Sequence, residues 1–382
     1  MSNASPEQLP YGRQSIDEDD IQAVVEVLRS DWLTTGPAVE RFEAELGGWA
    51  GAPTVVVTSG TAALHTAYAA AGISRGSQVV TSPMTFVATA ATASLLGAEI
   101  VFADVEADTA NLDVGAVEAV VSERTAAITG IDYAGHPLEA DALRELAHAH
   151  DALFVEDAAH SVGSRWWGRP VGSLADLTTF SFYPTKNFTT AEGGAVSSTS
   201  KRLLDRARRF RNHGLVRDRS LQRTPDEGGW HQEVHQLGLN YRLPDVLCAL
   251  GLSQLTKLDR FKQRRTEIVS AYNTAFASVP EVATPPCREG ADPMWHLYPL
   301  RVLDGRRRQL YDALRAAAIL VQVNYLPVYW HPAYADLGYR RGMCPHAEEF
   351  YAQQLSLPLF PGMSDTDVNR VIAEVREFFG AR

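Results

Sequence analysis

Residues 55–64 read VVVTSGTAAL, so an apolar run of strand length passes through small residues into an alanine-rich stretch. β-Branched valines favour a strand, and Ser, Gly and Thr are typical of the turn that opens a helix. The free backbone N–H groups and the dipole of such a helix start suit a phosphate. An ordinary turn capped by Thr58 or Ser59 fits the same residues, so this stretch alone leaves both interpretations open.

The same alternation continues through the first half of the chain. Apolar runs of strand length are separated by helical stretches rich in alanine, and they cover residues 54–57, 78–81, 100–103, 126–130, 153–156 and 178–182. Strand-helix-strand units of this kind predict an α/β fold with a mainly parallel sheet covered on both faces. Ligands of such sheets bind beyond the carboxyl ends of the strands.

Two flanking regions complete the predicted organisation. A capping-box pattern at residues 15–18 predicts a helix that begins near Ser15, and Pro37 is expected in the first turn of a second helix. A long helical pattern after residue 244 leads into a basic stretch at 260–265. We predict a large domain over residues 12–255 and a small α+β domain over residues 256–382.

Composition excludes several classes of function. The 382 residues suggest two lobes, at roughly 150 residues per domain. A net charge of −11 would repel a nucleic acid backbone. The polar start and the lack of any run near the roughly 18 apolar residues of a membrane span predict a cytoplasmic protein without a membrane partner. Cys248, Cys287 and Cys344 are far apart, which argues against a disulfide framework or a metal site.

Asp157 and Lys186 are the candidates for chemistry. Asp157 follows the run 153–156, where a carboxylate could keep a pyridine nitrogen protonated, although it could also cap the next helix. Lys186 lies in FSFYPTKN (residues 180–187), and its amine could form a Schiff base with pyridoxal phosphate if its pKa falls. A solvated surface lysine is the commoner alternative. Together the two residues indicate amine chemistry.

Seven motifs in order resemble the DegT/DnrJ/EryC1/StrS family of sugar aminotransferases over nearly the whole chain. They are TTGP (34–37), SGTAAL (59–64), EDAAH (156–160), SF with its lysine (181–186), EGG (192–194), RNHG (211–214) and NYR (240–242). The resemblance implies a fold-type I pyridoxal-phosphate enzyme, a large mainly parallel mixed-sheet domain followed by a small α+β C-terminal domain. It also implies a homodimer with active sites at the subunit interface. Such enzymes turn a keto sugar nucleotide, usually with glutamate, into an amino sugar and 2-oxoglutarate.

A closer resemblance is to the PseC branch of the family, the UDP-4-amino-4,6-dideoxy-N-acetyl-β-L-altrosamine transaminases. It rests on residues 189–194, 295–299, 321–332, 344–348 and 355–359. It implies transfer of an amino group from L-glutamate to C4 of a UDP-linked 4-keto-6-deoxy-N-acetylhexosamine in pseudaminic acid biosynthesis. Tyr183 and Asn187 depart from the branch pattern, which would have histidine and proline.

Other functions fit parts of the same sequence. The enzyme could aminate a different UDP- or dTDP-linked keto sugar in natural-product biosynthesis. The chain could also be a non-catalytic regulatory protein that binds pyridoxal phosphate, but it lacks the fused DNA-binding region expected there. A sugar dehydratase of this fold would carry histidine at position 186, and the glycine spacing of a dinucleotide fingerprint is absent after Ser59.

The resemblance also implies a role for each site residue. Lys186 would be the Schiff-base lysine and Asp157 the partner of the pyridine nitrogen. The other expected cofactor contacts are His160 to the phenolic oxygen, Phe86 stacked on the ring, Gly60, Thr61 and Ser181 on the phosphate, and Asn240 from the partner subunit. The expected substrate contacts are Thr35, His213, Arg242, Tyr325 and His331. Core packing for Phe86 and an interface ion pair for Arg242 remain alternatives.

Overall fold

The structure is a computed structural model that describes residues 7–381. Residues 1–6, which include most of the polar start, and Arg382 lie outside the described residues. The strands follow in chain order: β1 Thr54–Val57, β2 Gln78–Thr81, β3 Glu99–Phe102, β4 Thr125–Ile131, β5 Leu153–Asp157, β6 Arg165–Trp166, β7 Arg169–Pro170, β8 Leu177–Ser181, β9 Gly194–Ser197, β10 Leu215–Val216, β11 Glu233–Val234, β12 Val282–Ala283, β13 Ala291–Asp292, β14 Tyr298–Val302 and β15 Gln354–Leu357.

Helices cover both faces of the main sheet and much of the C-terminal region. In chain order they are α1 Glu18–Leu28, α2 Pro37–Ala50, α3 Gly60–Ala71, α4 Ala88–Leu95, α5 Val114–Glu118, α6 Ala140–Ala149, α7 Lys201–Phe210, α8 Asp245–Leu255, α9 Leu258–Phe276, α10 Arg307–Ala316, α11 Pro332–Ala335, α12 Pro345–Gln353 and α13 Asp365–Phe378.

The main sheet has seven strands in the order β1-β9-β8-β5-β4-β2-β3. Neighbours from β8 to β3 are parallel, whereas β9 runs antiparallel to both β8 and β1. Successive residues of one strand pack into different apolar cores on the two faces of the sheet, as Val57 and Val56 do. Both faces are therefore buried, which explains the uninterrupted apolar runs and confirms the predicted α/β class.

The C-terminal region is built on a second sheet. Strands β12, β14 and β15 are antiparallel, and a third apolar core lies against them with Ile268, Leu310 and Val371 from helices α9, α10 and α13. This is a mixed α and β arrangement. The boundary between residues 255 and 256 stays a prediction.

The helical pattern after residue 244 is divided into two helices. Helix α8 ends at Leu255 and α9 begins at Leu258. The hydroxyl of Thr256 donates to the carbonyl of Ser253 at 2.7 Å, and the Lys257 N–H bonds the carbonyl of Gln254 three residues back. A hydroxyl bonded to a preceding carbonyl competes with the helical ladder, so the pattern divides here.

The first helix also begins later than predicted. Its N-cap is Asp17 and not Ser15, because the side chains of Asp17 and Asp20 each accept the other's backbone N–H. Lys257 lies against the same pair, 2.8 Å from the Asp20 carboxylate. Pro37 opens α2 as predicted. Within residues 7–381, no helix is both long and apolar enough to cross a membrane.

Candidate active site

A cavity of about 580 Å³ opens where the carboxyl ends of β5 and β8 meet the start of α3. Eight residues predicted for the site line it together: Gly60, Thr61, Phe86, Asp157, His160, Ser181, Lys186 and Tyr325. These residues come from distant parts of the chain. The parallel sheet brings them together because its strands end at a common edge.

Asp157 is the last residue of β5, and its carboxyl group is buried and fixed. Thr89 donates its hydroxyl to one carboxylate oxygen at 2.7 Å, and the Ala159 N–H donates to the other at 3.2 Å. Burial raises the pKa of Asp157, while these two hydrogen bonds and nearby Lys186 oppose the rise. A desolvated carboxyl group held in this way would interact strongly with a cationic ring nitrogen.

Lys186 lies in the loop between β8 and β9, and its backbone N–H donates to the carbonyl of Tyr183 at 2.9 Å. Among the described residues, no hydrogen bond or ion pair of its amino group is found. Burial lowers the pKa of Lys186 from 10.5 to about 8, although the Asp157 carboxylate opposes the change. The amine is therefore partly uncharged near neutral pH, as a nucleophile or proton acceptor must be.

The start of α3 forms the third wall of the cavity. Ser59 caps the helix by accepting the Ala62 N–H at 3.1 Å, and Gly60 is the first helical residue. A Cβ atom on Gly60 would lie 2.7 Å from Cβ of Ser181, so only glycine allows this approach. The first N–H groups of a helix lack partners in the helix, and the Ser181 hydroxyl lies close to this helix start. This corner of the cavity, formed by the start of α3 and Ser181, suits a phosphate group.

His160 and Phe86 complete the lining on the side of the C-terminal region. Nε2 of His160 lies 3.0 Å from the hydroxyl of Tyr325, and the ring of Phe86 is 6.1 Å from that of Tyr325. Phe86 is 55% exposed, so it is not a core residue, and its ring is free to stack on a ligand. Burial lowers the pKa of His160 well below its ordinary value, and Lys186 lowers it further.

These residues fit pyridoxal phosphate. The cofactor needs an amine that can be uncharged, a carboxylate for its ring nitrogen and donors for its phosphate. Lys186, Asp157 and the start of α3 with Ser181 provide these three features around one cavity. The buried Asp157 and an amine that has no hydrogen bond or ion pair within the described part of the chain are difficult to explain as fold stabilisation alone.

Comparison with known proteins agrees with this geometry. A profile of the DegT/DnrJ/EryC1/StrS aminotransferase family matches residues 14–376. The chain belongs to this family. It is 40% identical to the spore coat polysaccharide biosynthesis protein SpsC of Bacillus subtilis over 376 residues, covering 97% of this chain and 96% of that protein.

Two further relatives carry more specific names. The UDP-4-amino-4,6-dideoxy-N-acetyl-β-L-altrosamine transaminase of Campylobacter jejuni is 37% identical over 371 residues, 95% of each chain. The structure of Helicobacter pylori PseC, an aminotransferase of pseudaminic acid biosynthesis, superposes with a TM-score of 0.91 at 32% identity, covering 98% of this chain and 100% of that one. The predicted family and aminotransferase activity are therefore confirmed, and this family characteristically uses pyridoxal phosphate.

The other five residues predicted for the site lie outside this cavity in the structure of this family member. Thr35 and Arg242 line a second cavity of about 590 Å³, where Arg242 donates to the side-chain oxygen of Asn212 at 2.7 Å. Asn240 and His213 are exposed, and His331 precedes α11 as its N-cap. Within one chain none of these five lines the cavity around Lys186.

Several lining residues were missed by the sequence analysis: Tyr11, Thr89, Thr185, Glu192, His296, Gln322 and Asn324. Thr89 could have been found from its spacing, because it lies three residues after Phe86 and its N–H bonds the Phe86 carbonyl at 3.2 Å where α4 begins. His296 and Asn324 come from the C-terminal region, and no local pattern links them to Lys186. Their position depends on how the two parts of the chain pack.

Proposed function

We propose that this aminotransferase transfers the amino group of L-glutamate to C4 of a UDP-linked 4-keto-6-deoxy-N-acetylhexosamine. The observation that carries the proposal is the amine of Lys186 beside the buried Asp157 in one cavity, in a chain of this family. The names of the Campylobacter and Helicobacter relatives support the sugar. A cytoplasmic location remains a prediction.

Lys186 and Asp157 have separate tasks in this proposal. Bound pyridoxal phosphate would supply an electron-accepting ring that stabilises the charge left when a neighbouring carbon loses its proton. The Lys186 amine, with a pKa of about 8, can take up and return that proton near neutral pH. Asp157 would hold a proton on the ring nitrogen, with its orientation fixed by Thr89 and Ala159.

The charges of the cavity indicate that one chain does not form the whole site. Glutamate and a nucleotide diphosphate are anions, but Lys186 is the only Lys or Arg among the described residues that line the cavity. The planar guanidinium group of Arg242 could bind a carboxylate through two hydrogen bonds, but Arg242 lines the second cavity. We propose that Thr35, Asn240 and Arg242 enter the cavity of a partner subunit in a homodimer.

Exposed apolar side chains beside these residues support the same arrangement. Trp32 and Leu33 precede Thr35 and are 54% and 51% exposed, while Leu237 precedes Asn240 and is 90% exposed. Large apolar side chains clustered on a surface mark an interaction site more often than free surface. A second copy of the chain would cover them.

Two positions depart from the PseC-like pattern, and one of them is placed to affect the choice of sugar. Asn187, where the PseC-like pattern has proline, is buried and donates to the Met294 carbonyl at 2.8 Å, which makes its role structural. Tyr183, where histidine is the pattern, is 50% exposed and lines the cavity. Tyr183 is thus positioned to contact a substrate. SpsC, named for a spore coat polysaccharide, makes another keto sugar the second candidate substrate.

The test is a substrate panel with identified products. The purified protein is loaded with pyridoxal phosphate and incubated with glutamate and UDP- or dTDP-linked 4-keto sugars, and the aminated product is identified by mass spectrometry and NMR. We expect amination of the UDP-linked 4-keto-6-deoxy-N-acetylhexosamine, and no product with Lys186→Ala. Turnover of dTDP sugars alone would contradict the proposed substrate, and equal turnover by Lys186→Ala would contradict the catalytic assignment.

A further inference from the structure

Tyr325, from the C-terminal region, contacts the imidazole of His160, which is predicted to face the cofactor. The hydroxyl of Tyr325 lies 3.0 Å from Nε2 of His160, and the two residues are 165 positions apart in the sequence. Their rings are nearly parallel, at 22° with centroids 6.1 Å apart. Tertiary packing alone brings this pair together, in the cavity that contains Lys186.

The orientation of His160 depends on few contacts. Its side chain is 1% exposed, and among the described residues Nδ1 has no hydrogen-bond partner. The ring of His296 packs against it with centroids 4.4 Å apart. Stacking limits the tilt of the ring but does not select a nitrogen, so within residues 7–381 the only directional contact of the imidazole is the one to Tyr325.

Both partners are held in their uncharged forms. Burial lowers the pKa of His160 well below its ordinary value, and burial raises the pKa of Tyr325. A neutral imidazole has one N–H donor and one acceptor, and the hydrogen bond at one nitrogen determines which nitrogen carries the proton. The Tyr325 hydroxyl is therefore placed to determine what His160 offers to a ligand.

We infer that Tyr325 is a positioning residue that acts through His160, fixing the ring and the proton that it presents to the phenolic oxygen of the cofactor. This inference rests on the proposed function and on the predicted contact of His160 with that oxygen. It gives Tyr325 a task distinct from the sugar contact predicted for it. The sugar contact would affect substrate binding, whereas the task inferred here affects the bound cofactor before any substrate arrives.

The experiment compares Tyr325→Phe with wild type by two measurements that need no turnover. One is the dissociation constant for pyridoxal phosphate, and the other is the pH midpoint of the visible absorption change of the loaded protein. We expect Tyr325→Phe to bind the cofactor roughly two- to tenfold more weakly, the effect of one lost hydrogen bond, and to shift the midpoint.

Tyr329→Phe is the matched control. Its hydroxyl donates to Glu348 at 2.6 Å, and Tyr329 does not line the cavity. Loss of this buried hydroxyl should leave both measurements at their wild-type values. Equal changes in the two variants would show a general loss of stability and would overturn the inference.

A double-mutant cycle tests whether Tyr325 acts through His160. In a His160→Gln background, Tyr325→Phe should cause no further change, because the partner ring is gone. Equal shifts with and without His160, or a higher KM for the sugar with an unchanged absorption midpoint, would overturn the inference. Protein that binds pyridoxal phosphate but aminates no keto sugar would contradict the proposed function, while these binding and absorption measurements would still decide the role of Tyr325.

Discussion

At the scale of single residues, two buried carboxyl groups lie at the carboxyl ends of neighbouring strands, β5 and β4, and have different surroundings. Asp157 faces the cavity, where the Lys186 amine lowers its pKa and burial raises it. Asp132 follows β4 and accepts hydrogen bonds from Ser161 at 2.5 Å and from the Leu138 N–H at 3.0 Å. The Asp132 N–H in turn donates to the carbonyl of Asp157 at 3.2 Å. We expect the first to serve chemistry and the second to serve structure.

Replacing Asp157 by Asn should separate binding from catalysis. The amide keeps the shape of the side chain but removes its charge, so the variant should retain pyridoxal phosphate while the transamination rate falls roughly 10²- to 10³-fold. Cofactor content by absorption and single-turnover rates measure the two effects. Asp132→Asn is the control and should keep the wild-type rate. Loss of the cofactor from folded Asp157→Asn protein would make Asp157 an anchor and not an electronic partner.

Asp132 should make stability depend on pH. Burial raises its pKa from 3.8 to about 7, so between these values the folded chain holds a proton that the unfolded chain has released. Folding stability must then decrease as the pH rises from about 4 to 7. Asp132→Asn imitates the protonated form and should raise Tm by a few degrees at pH 8 but change it little at pH 4. An unchanged difference between wild type and variant across this range would contradict the assignment.

At the scale of elements, the start of α3 depends on a glycine. An added methyl group at Gly60 would collide with Ser181 across the predicted phosphate corner. Gly60→Ala should therefore weaken binding of pyridoxal phosphate by at least about tenfold, measured by fluorescence titration. Gly48→Ala, in helix α2, is the control because nothing lies within 4 Å of its added Cβ. It should leave affinity unchanged and stabilise the helix by up to about 1 kcal/mol.

The elements also indicate which features the sequence could predict. Strands β1 and β2 have the predicted bounds, because both of their faces are buried and their apolar runs end where the sheet ends. Asp157 and Lys186 were recognisable because each follows such a run. The break at Thr256 was not, since a hydroxyl that bonds a carbonyl in its own helix leaves the apolar period intact. Tyr11 and Asn324 could not be predicted as site residues, because only tertiary packing brings them to the cavity.

At the scale of the whole molecule, the proposed homodimer should share its active sites between subunits. Lys186→Ala and Asn240→Ala proteins are each expected to be nearly inactive. After complete subunit exchange, half of the dimers are mixed and each contains one intact site, so roughly a quarter of wild-type activity should return. Mixing Lys186→Ala with Asp157→Asn is the control, because both residues line the same chain's cavity and no activity should return. No recovery with Asn240→Ala, despite proven exchange, would place Asn240 outside the partner's site.

The position of β9 has a consequence for how the protein is made. Strand β1, which leads into the predicted phosphate corner, pairs with β9 and bridges Arg242 at its end, and both partners come much later in the chain. A ribosome-bound chain that stops before Gly194 therefore leaves β1 without its neighbour. Contacts between segments so distant in sequence slow folding. The capacity to hold the cofactor should thus emerge late during synthesis, after the first eight strands have already left the ribosome.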